Sequence, residues 1–75
     1  MRVYVFINTK PGASEEVIKR IKSCVKEVVR ADSIYGRFDA IAIIETPNLE
    51  NVNELLYKVI EKDPNILHTE TSLAL

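Results

Sequence analysis

Residues 35–44 read Tyr-Gly-Arg-Phe-Asp-Ala-Ile-Ala-Ile-Ile, in which a turn with a glycine at its corner runs into a short apolar strand. Gly36 can adopt positive φ without a Cβ clash, so it suits a pivot between two extended segments. The strand after the turn, at about residues 39–45, is apolar on both of its faces. Such a strand is expected at the centre of a sheet whose two faces are both covered.

The segments before this strand alternate between strand and helix patterns. Residues 2–8 form a β-branched and aromatic run that is apolar on both faces, which is typical of a strand. Residues 14–25 carry a helical stripe of apolar side chains that begins after Ser14, a candidate N-cap. Residues 28–35 contain no helical run and suit a second strand that leads into the turn at Gly36.

The segments after the central strand repeat the helix-then-strand order. Residues 46–48 (Thr-Pro-Asn) stop the strand, and Asn48 is placed to cap a second helix. Apolar residues recur at i, i+3, i+4, i+7 and i+8 from Val52, which is the most regular helical period in the chain. Pro64 ends this helix, because the residue before a proline is disfavoured in the α region. Residues 66–75 form the last predicted strand.

The predicted order is strand, helix, strand, strand, helix, strand. Two right-handed crossovers in this order give an α+β, ferredoxin-like βαββαβ fold, a four-stranded antiparallel sheet with two helices on one face. Those helices cover only one face, yet the first and third strands are apolar on both. In a chain of 75 residues the remaining candidate for cover is another copy. The sequence therefore predicts a homodimer packed sheet against sheet, of the dimeric α/β-barrel type.

Length and composition exclude several classes of protein. The 75 residues make one domain, and 10 basic against 11 acidic residues give a net charge of −1, unlike the basic stripe of a nucleic-acid binder. Cys24 is the only cysteine, so it forms no internal disulfide, which favours a reducing, cytoplasmic setting. No signal peptide precedes the first strand, and no apolar run approaches the ~20 residues of a membrane span.

Three further motifs have ordinary structural explanations. Residues 10–12 (Lys-Pro-Gly) precede a helix but lack the Gly-Lys-Ser/Thr of a phosphate-binding loop, so they are a turn. Tyr4 and Phe6 resemble the stacking aromatics of an RNA-recognition module, but that module also needs aromatics on the third strand and a basic sheet face. His68 has no His or Cys near it in sequence, and we interpret it as a strand residue at the sheet surface, not as a metal ligand or a catalytic base.

Two remaining segments combine groups that suit a small zwitterion. Asp39 offers a carboxylate for an ammonium group, and Arg37 together with the turn amides offers donors for a carboxylate. The hydroxyls of Thr69 and Thr71 are further candidates, although local sequence does not show that the two segments meet. The alternative interpretation is a plain hairpin and an edge strand that uses threonine for its β-propensity.

Residues 36–39, the apolar strand, the second helix and Thr69-Glu70-Thr71-Ser72-Leu73 closely resemble the effector-binding (RAM) domain of the leucine-responsive and asparagine-responsive regulators, the Lrp/AsnC family. The family pattern is Gly-x-Tyr-Asp, a hydrophobic strand, a helix and then a Thr-x-Thr strand. Thr-Lys-Pro-Gly at residues 9–12 also fits it. The resemblance covers essentially the whole chain and implies the ferredoxin-like fold, sheet-to-sheet dimers, and homodimers assembled into octamers or decamers.

The resemblance also implies where a ligand binds. Small effectors, usually amino acids, would bind where dimers meet, close to the Gly-x-Tyr-Asp turn. Gly36 would supply backbone contacts, and Asp39 would accept from the ligand ammonium. Thr69 and Thr71 would line the pocket. Phe38 stands where the family commonly has tyrosine, so any contact made by that hydroxyl is absent here.

The resemblance finally bears on domain organisation. Family regulators carry an N-terminal helix-turn-helix domain, whereas this chain begins at the first strand of the effector domain. We therefore expect one domain over residues 1–75, with no helix-turn-helix domain, no direct DNA binding and no cofactor. The predicted function is a non-enzymatic amino-acid-binding and oligomerisation module that modulates transcription by assembly with itself or with a full-length regulator. The alternatives are a purely structural partner with a degenerate pocket, or a small dimeric α/β-barrel enzyme built around His68 and Asp39.

Overall fold

A computed structural model describes all residues from 1 to 75 and has the predicted ferredoxin-like architecture. The elements in chain order are β1 (Arg2–Thr9), α1 (Ser14–Cys24), β2 (Val28–Ser33), β3 (Ala40–Glu45), α2 (Leu49–Leu55) and β4 (Ile66–Leu73). A π-helical turn, Leu56–Ile60, continues α2. The strands form one sheet in the order β2-β3-β1-β4, and every neighbouring pair is antiparallel. Neither helix has the length and apolar character that crossing a membrane requires.

The core lies between the sheet and the two helices. β1 contributes Val3, Val5 and Ile7, all fully buried, and the apolar stripe predicted for α1 is buried against them. The stripe predicted for the second helix is confirmed as well, because Val52 and Ile60 are buried and the positions between them pack on the same cluster. Alternation along the strands places this core on one face of the sheet.

The opposite face of the sheet has no helix over it. Tyr4 and Phe6 of β1 lie there opposite Ile43 and Ile41 of β3, and all four side chains are half-buried in a single chain. We call the surface formed by these four residues and the ring of Phe38 the open face. Its apolar character confirms the sequence prediction that β1 and β3 offer hydrocarbon to both sides of the sheet.

α1 begins at residue 14 as predicted, but the predicted N-cap and the predicted end of the helix were each wrong by one residue. Ala13, not Ser14, is the N-cap, and no side chain caps the helix. Ser14 is instead the first helical residue, and its Oγ accepts a hydrogen bond of 3.2 Å from Ser33 Oγ. At the other end Val25 is the C-cap, its amide donating to Ile21 O, and Cys24 is exposed.

The strand ends also differ from prediction. β2 ends at Ser33 and β3 begins at Ala40, so the connection is a loop over residues 34–39 rather than a tight turn. Ile34 N donates to Asp39 O at 2.9 Å, a bond that closes the base of this loop in the register of the β2–β3 ladder. β4 ends at Leu73, two residues before the predicted end.

The second helix begins as predicted and ends differently. The Asn51 amide donates to Asn48 Oδ1 at 2.9 Å, which confirms Asn48 as the N-cap. Beyond Leu55 the helix widens, and the Glu61 amide donates to Leu56 O at 2.8 Å, an i to i−5 bond. The sequence pattern gave no sign of this widening, because the apolar positions keep their helical period through it.

Candidate functional site

The loop over residues 34–39 is fastened to the end of β1 by two backbone amides. The Asp39 amide donates to Ile7 O at 2.9 Å, and the Thr9 amide donates to Asp39 Oδ2 at 2.8 Å. Asp39 is therefore held in place on both its main chain and its side chain. One carboxylate oxygen is occupied by this bond, and Oδ1 has no hydrogen-bond partner within the chain.

The aromatic and cationic residues of the loop reach over the open face. The Phe38 ring centroid lies 5.2 Å from that of Phe6, with the rings tilted by 38°. Arg37 is exposed, and its Cζ lies 5.8 Å from the Phe38 centroid, a cation–π contact. Gly36 has the positive φ expected from the sequence, +157°, and a Cβ there would meet no atom within 4 Å. The loop thus presents a guanidinium and a glycine backbone beside an apolar surface.

Thr69 and Thr71 lie on the other flank of β1. They pair with Ile7 and Val5, so their side chains are on the helix side of the sheet, with Thr69 half-buried and Thr71 exposed. Ala40 pairs with Ile7 from the opposite side, which puts the start of β3 and Thr69 two strand spacings apart, about 10 Å. The fold brings Asp39 and Thr69 to the same end of β1. It does not gather all six predicted ligand-binding residues around one cavity within one chain.

A depression of about 280 Å³ lies beside Thr69. It is lined by Glu61 at the end of the π turn and by the first residues of β4, Ile66, Leu67, His68 and Thr69. Its volume is just below the usual range for ligand pockets, about 300–1,000 Å³, and it is open to solvent. Sequence reasoning missed Glu61, Ile66 and Leu67. Pro64 was the sequence signal that could have indicated them. Because it ends the second helix shortly before the Thr-x-Thr strand, the last residues of that helix must lie beside the first residues of the strand.

Charged pairs surround the open face. Arg2 Nε on β1 donates to Glu45 Oε1 on β3 at 2.8 Å. Within β2, Arg30 Nε donates to Asp32 Oδ2 at 2.7 Å. On β4 the His68 Nε2 to Glu70 Oε1 distance is 4.0 Å. The hydrogen bond from Arg2 to Glu45, together with the charge of that carboxylate, raises the pKa of Arg2. The rim of the face is therefore polar and largely self-paired, while its centre is apolar.

The residues considered for a metal centre and for an enzyme site do not come together in the fold. No group of three or more His, Cys, Asp or Glu side chains is placed to hold a metal ion. His68 pairs across from Asn8 on the β4 side of β1, whereas Asp39 bonds to Thr9 on the β3 side, and no hydrogen bond joins them. The two residues from which an enzyme site was considered are therefore not brought together.

A ferredoxin-like sheet with one helix-covered face, one bare apolar face and a glycine-containing loop beside it defines a small α+β binding module. The family model of the Lrp/AsnC ligand-binding domain matches residues 2–75, and the chain belongs to that family. The resemblance drawn from residues 36–39 and from the Thr-x-Thr strand is confirmed. The family comprises the regulatory ligand-binding domains of transcription regulators.

Solved structures have the same fold over nearly the whole chain. FFRP-DM1 is 28% identical with a TM-score of 0.91, and the match covers 99% of this chain and 97% of that one. The hypothetical protein PHS023 from Pyrococcus horikoshii is 28% identical with a TM-score of 0.92, covering 99% and 88%. The transcriptional regulator NMB0573 from Neisseria meningitidis, crystallised as an L-Met complex, is 9% identical with a TM-score of 0.85, covering 99% and 49%. Among curated proteins there was no significant match.

Proposed function

We propose that this chain is a non-enzymatic, amino-acid-binding assembly module that works by pairing with further copies of the family fold. The observation that carries the proposal is the open face. Tyr4, Phe6, Ile41 and Ile43 form a continuous apolar centre that no element of the chain covers. A sheet face of this kind is stable in water when a second face covers it.

The charge distribution supports a second copy as the cover. Arg2 is paired with Glu45 and Arg30 with Asp32 within each chain, so two faces meet without leaving these rim charges unpaired. An apolar centre inside a polar rim is the general layout of a protein–protein interface. Because the same surface meets itself, the contact is a two-fold one, and the homodimer is the smallest assembly.

The ligand site we propose is the loop with its neighbours across β1. Asp39 Oδ1 is free to accept from an ammonium group, and the exposed guanidinium of Arg37 can donate to a carboxylate. Gly36 leaves the loop backbone accessible, and Phe38 supplies an apolar wall. Thr69 and Thr71, across β1 from the loop, complete the set of proposed ligand-binding residues.

The open arrangement in one chain suggests that assembly completes the site. Asp39 and Thr69 lie on opposite flanks of β1, so a second copy has to close the space beside the loop. A ligand bound by two copies together favours the assembled state by its differential affinity for it. The Neisseria regulator has the same fold over the matched region and was crystallised as a complex with L-Met, an amino acid.

Titration calorimetry against all twenty amino acids tests the sensing half of the proposal. It is run at a protein concentration at which the assembly is intact, because the site is proposed to form between copies. We expect heat from at least one amino acid, and loss of that heat in Asp39→Asn, which keeps the carbonyl acceptor but removes the charge. No heat from any of the twenty would remove amino-acid sensing from the proposal.

The regulatory role is proposed to come through association. We propose one domain over residues 1–75, a cytoplasmic setting, no direct contact with DNA, and co-assembly with a full-length regulator of the same family. Mixing the two proteins and measuring mass by light scattering tests this. A mixed species whose DNA affinity changes with the effector supports the proposal, and two unmixed peaks contradict the hetero-assembly.

A purely structural partner is the second candidate. It is favoured by the engagement of Asp39 Oδ2 with Thr9 and by the open, shallow shape of the depression beside Thr69. Stable hetero-assembly with no response to any amino acid would select it over the sensor.

A further inference from the structure

Two irregularities of the backbone border the depression beside Thr69. The second helix ends in the π-helical turn Leu56–Ile60, and Glu61, which lines the depression, is the C-cap of that turn. In the strand that forms the other wall, the register with β1 jumps from His68 to Ile66, so Leu67 is a bulged residue without a partner on β1. π turns and β-bulges both recur beside functional sites, where they redirect side chains. The depression therefore coincides with two departures from regular structure.

Hydrogen bonds hold both walls of the depression in place. The Glu61 amide donates to Leu56 O at 2.8 Å, and the Ile66 amide donates to Asp63 O at 3.0 Å. The carboxylate of Asp63, a residue only 5% exposed, accepts from the Asn65 amide at 2.9 Å. The depression is thus formed within the single chain before anything binds, which lowers the ordering cost of binding.

Glu61 is the only Asp, Glu, Lys or Arg residue among those that line the depression. It makes no ion pair within the chain. The two lysines nearest to it in sequence are engaged elsewhere. Lys58 Nζ lies 3.9 Å from Glu54 Oε1, and Lys62 Nζ lies 5.1 Å from the centroid of the Tyr57 ring. The depression therefore carries a negative charge that no neighbouring cation pairs with.

The end of the helix adds to this negative potential. A carboxylate at the C-cap lies at the negative end of the helix dipole, where cations are stabilising and anions are not. Arg20 Nη1 reaches the same helix end, but it donates to Val59 O at 2.7 Å and lies 3.4 Å from Asp63 Oδ2. The charge of Arg20 is therefore paired with Asp63. Glu61 occupies an electrostatically unfavourable position that a bound cation would make favourable.

We propose that the depression binds a primary ammonium group carried on a short aliphatic chain. The carboxylate of Glu61 and the hydroxyl of Thr69 supply acceptors for an ammonium, which has three N–H donors. Ile66 and Leu67 supply hydrocarbon for the chain, and Leu67 is 62% exposed. His68 completes the lining, and a neutral imidazole there is compatible with a bound cation.

Two sources carry this chemical group, the side chain of a basic amino acid and a free aliphatic amine. The first source rests on the proposed function, because the α-carboxylate and α-ammonium of the amino acid would be bound by Arg37 and Asp39 in the assembly. The second source does not depend on it. Thr69 belongs both to the proposed ligand site and to the depression, so a basic amino acid is the effector that would use both.

A titration with n-pentylamine, followed by the amide signals of the protein in NMR spectra, tests the depression directly. n-Pentanol is the matched neutral probe, since it has the same chain without the charge. Both titrations are run at about pH 8, where histidine is ordinarily neutral. We expect the amine to shift the amide signals of Leu67 and Thr69 with an affinity at least about tenfold tighter than that of the alcohol. No shift at these amides, or equal affinities, overturns the proposal.

Glu61→Gln keeps the size of the side chain and removes its charge. We expect it to weaken n-pentylamine binding by about fivefold. Glu50→Gln is the matched control, because it removes one negative charge from the exposed start of the same helix, and it should leave the affinity within about twofold of that of the parent protein. Equal effects of the two substitutions would mean that the amine responds only to net charge, and would contradict a site at Glu61.

L-Lysine and L-norleucine distinguish the two sources, because norleucine has the lysine side chain without its terminal ammonium. L-Lysine that binds more tightly than n-pentylamine and norleucine, and is weakened by Glu61→Gln, assigns the depression to the side chain of a basic amino acid. Amine binding that lysine does not exceed assigns it to a free amine, and supports the depression without the amino-acid site. Norleucine that shifts the amides of Leu67 and Thr69 as strongly as lysine contradicts a role for the terminal ammonium.

The failure of this inference is distinguishable from the failure of the proposed function. Calorimetric heat from a neutral amino acid that is lost in Asp39→Asn, together with no response of the Leu67 and Thr69 amides to n-pentylamine or lysine, would leave amino-acid sensing in place and remove the ammonium site. Binding of n-pentylamine that depends on Glu61, without heat from any of the twenty amino acids, would do the reverse.

Discussion

Asp39 and Thr9 are joined by a 2.8 Å hydrogen bond from the Thr9 backbone amide to Asp39 Oδ2. The bond spans 30 residues of sequence and ties the loop that carries Gly36, Arg37 and Phe38 to the end of β1. Thr9 is buried, so its amide has no ready access to water, and an unpaired amide there would be costly. Asp39 thus positions the loop with one carboxylate oxygen, and the other oxygen is the one that we propose accepts from a ligand ammonium group.

Replacing Asp39 in two ways should separate these roles. Asp39→Ala removes the acceptor and should lower the free energy of unfolding by about 1–2 kcal/mol, as expected for a hydrogen bond to a charged group at a partly exposed site. Asp39→Asn keeps an acceptor for Thr9, so its cost should be under about 1 kcal/mol. Urea denaturation measures both. Equal destabilisation by the two substitutions would show that the charge, not the acceptor, fastens the loop.

The parts of the fold that depend on local pattern were predictable, and the parts that depend on distant contacts were not. The structure confirms the apolar stripes of both helices and the apolar character of both faces of β1 and β3. These features were predictable because the spacing of apolar residues within one element decides which of its side chains are buried. The bond between Thr9 and Asp39 joins residues that no local pattern relates. The widening of the second helix likewise coincides with a contact from α1 that only the folded chain provides.

The ligand site itself stays a prediction, and only part of the geometry around its residues was predictable. The composition of residues 36–39 indicated a binding loop, and the structure places Phe38 and Arg37 beside the open face. Local sequence could not show that Thr69 lies on the far flank of β1, because strand order is a property of the whole sheet. It also gave no reason to include Glu61, whose place beside Thr69 follows from the path of the chain around Pro64.

The open face gives a prediction about assembly. Ile43 lies at its centre opposite Tyr4, and Ile43→Lys would bury a charge in the proposed interface. We expect the dimer dissociation constant to rise by at least about 100-fold, with little change in the unfolding free energy of the monomer, because Ile43 is only half-buried in one chain. Sedimentation equilibrium measures the constant.

Val29→Lys is the matched control for that substitution. Val29 is 57% exposed on the edge strand β2, away from the apolar centre. Its replacement by Lys should leave the dimer dissociation constant within about threefold of that of the parent protein. A dimer unaffected by Ile43→Lys would show that the open face is not the contact.

The turn before α1 gives a prediction about backbone strain. Gly12 has a φ of +78° in a turn closed by the Ala13 amide donating to Lys10 O at 3.0 Å, with Pro11 before it, an arrangement that requires a left-handed residue at this position. A Cβ would have free space, so the cost of Gly12→Ala comes from the backbone alone, about 1–2 kcal/mol. Gly12→Asn should cost less, because Asn tolerates this region. Thermal unfolding of the two variants should rank them in that order, and a more stable Ala variant would contradict the assigned turn.

The last prediction concerns the widened end of the second helix. Arg20 Nη1 on α1 donates to Val59 O at 2.7 Å and lies 3.4 Å from Asp63 Oδ2, whose residue is only 5% exposed. Arg20→Met keeps the aliphatic packing but removes the donor and leaves a buried carboxylate without its cation, so we expect a loss of about 1–3 kcal/mol in unfolding free energy. Lys19→Met, at the exposed neighbouring position, should change the unfolding free energy by less than about 0.5 kcal/mol.

Hydrogen exchange at Glu61, whose amide closes the π turn, should speed up selectively in Arg20→Met. Unchanged protection there, together with a loss of global stability, would mean that Arg20 stabilises the fold without holding the turn that borders the depression beside Thr69.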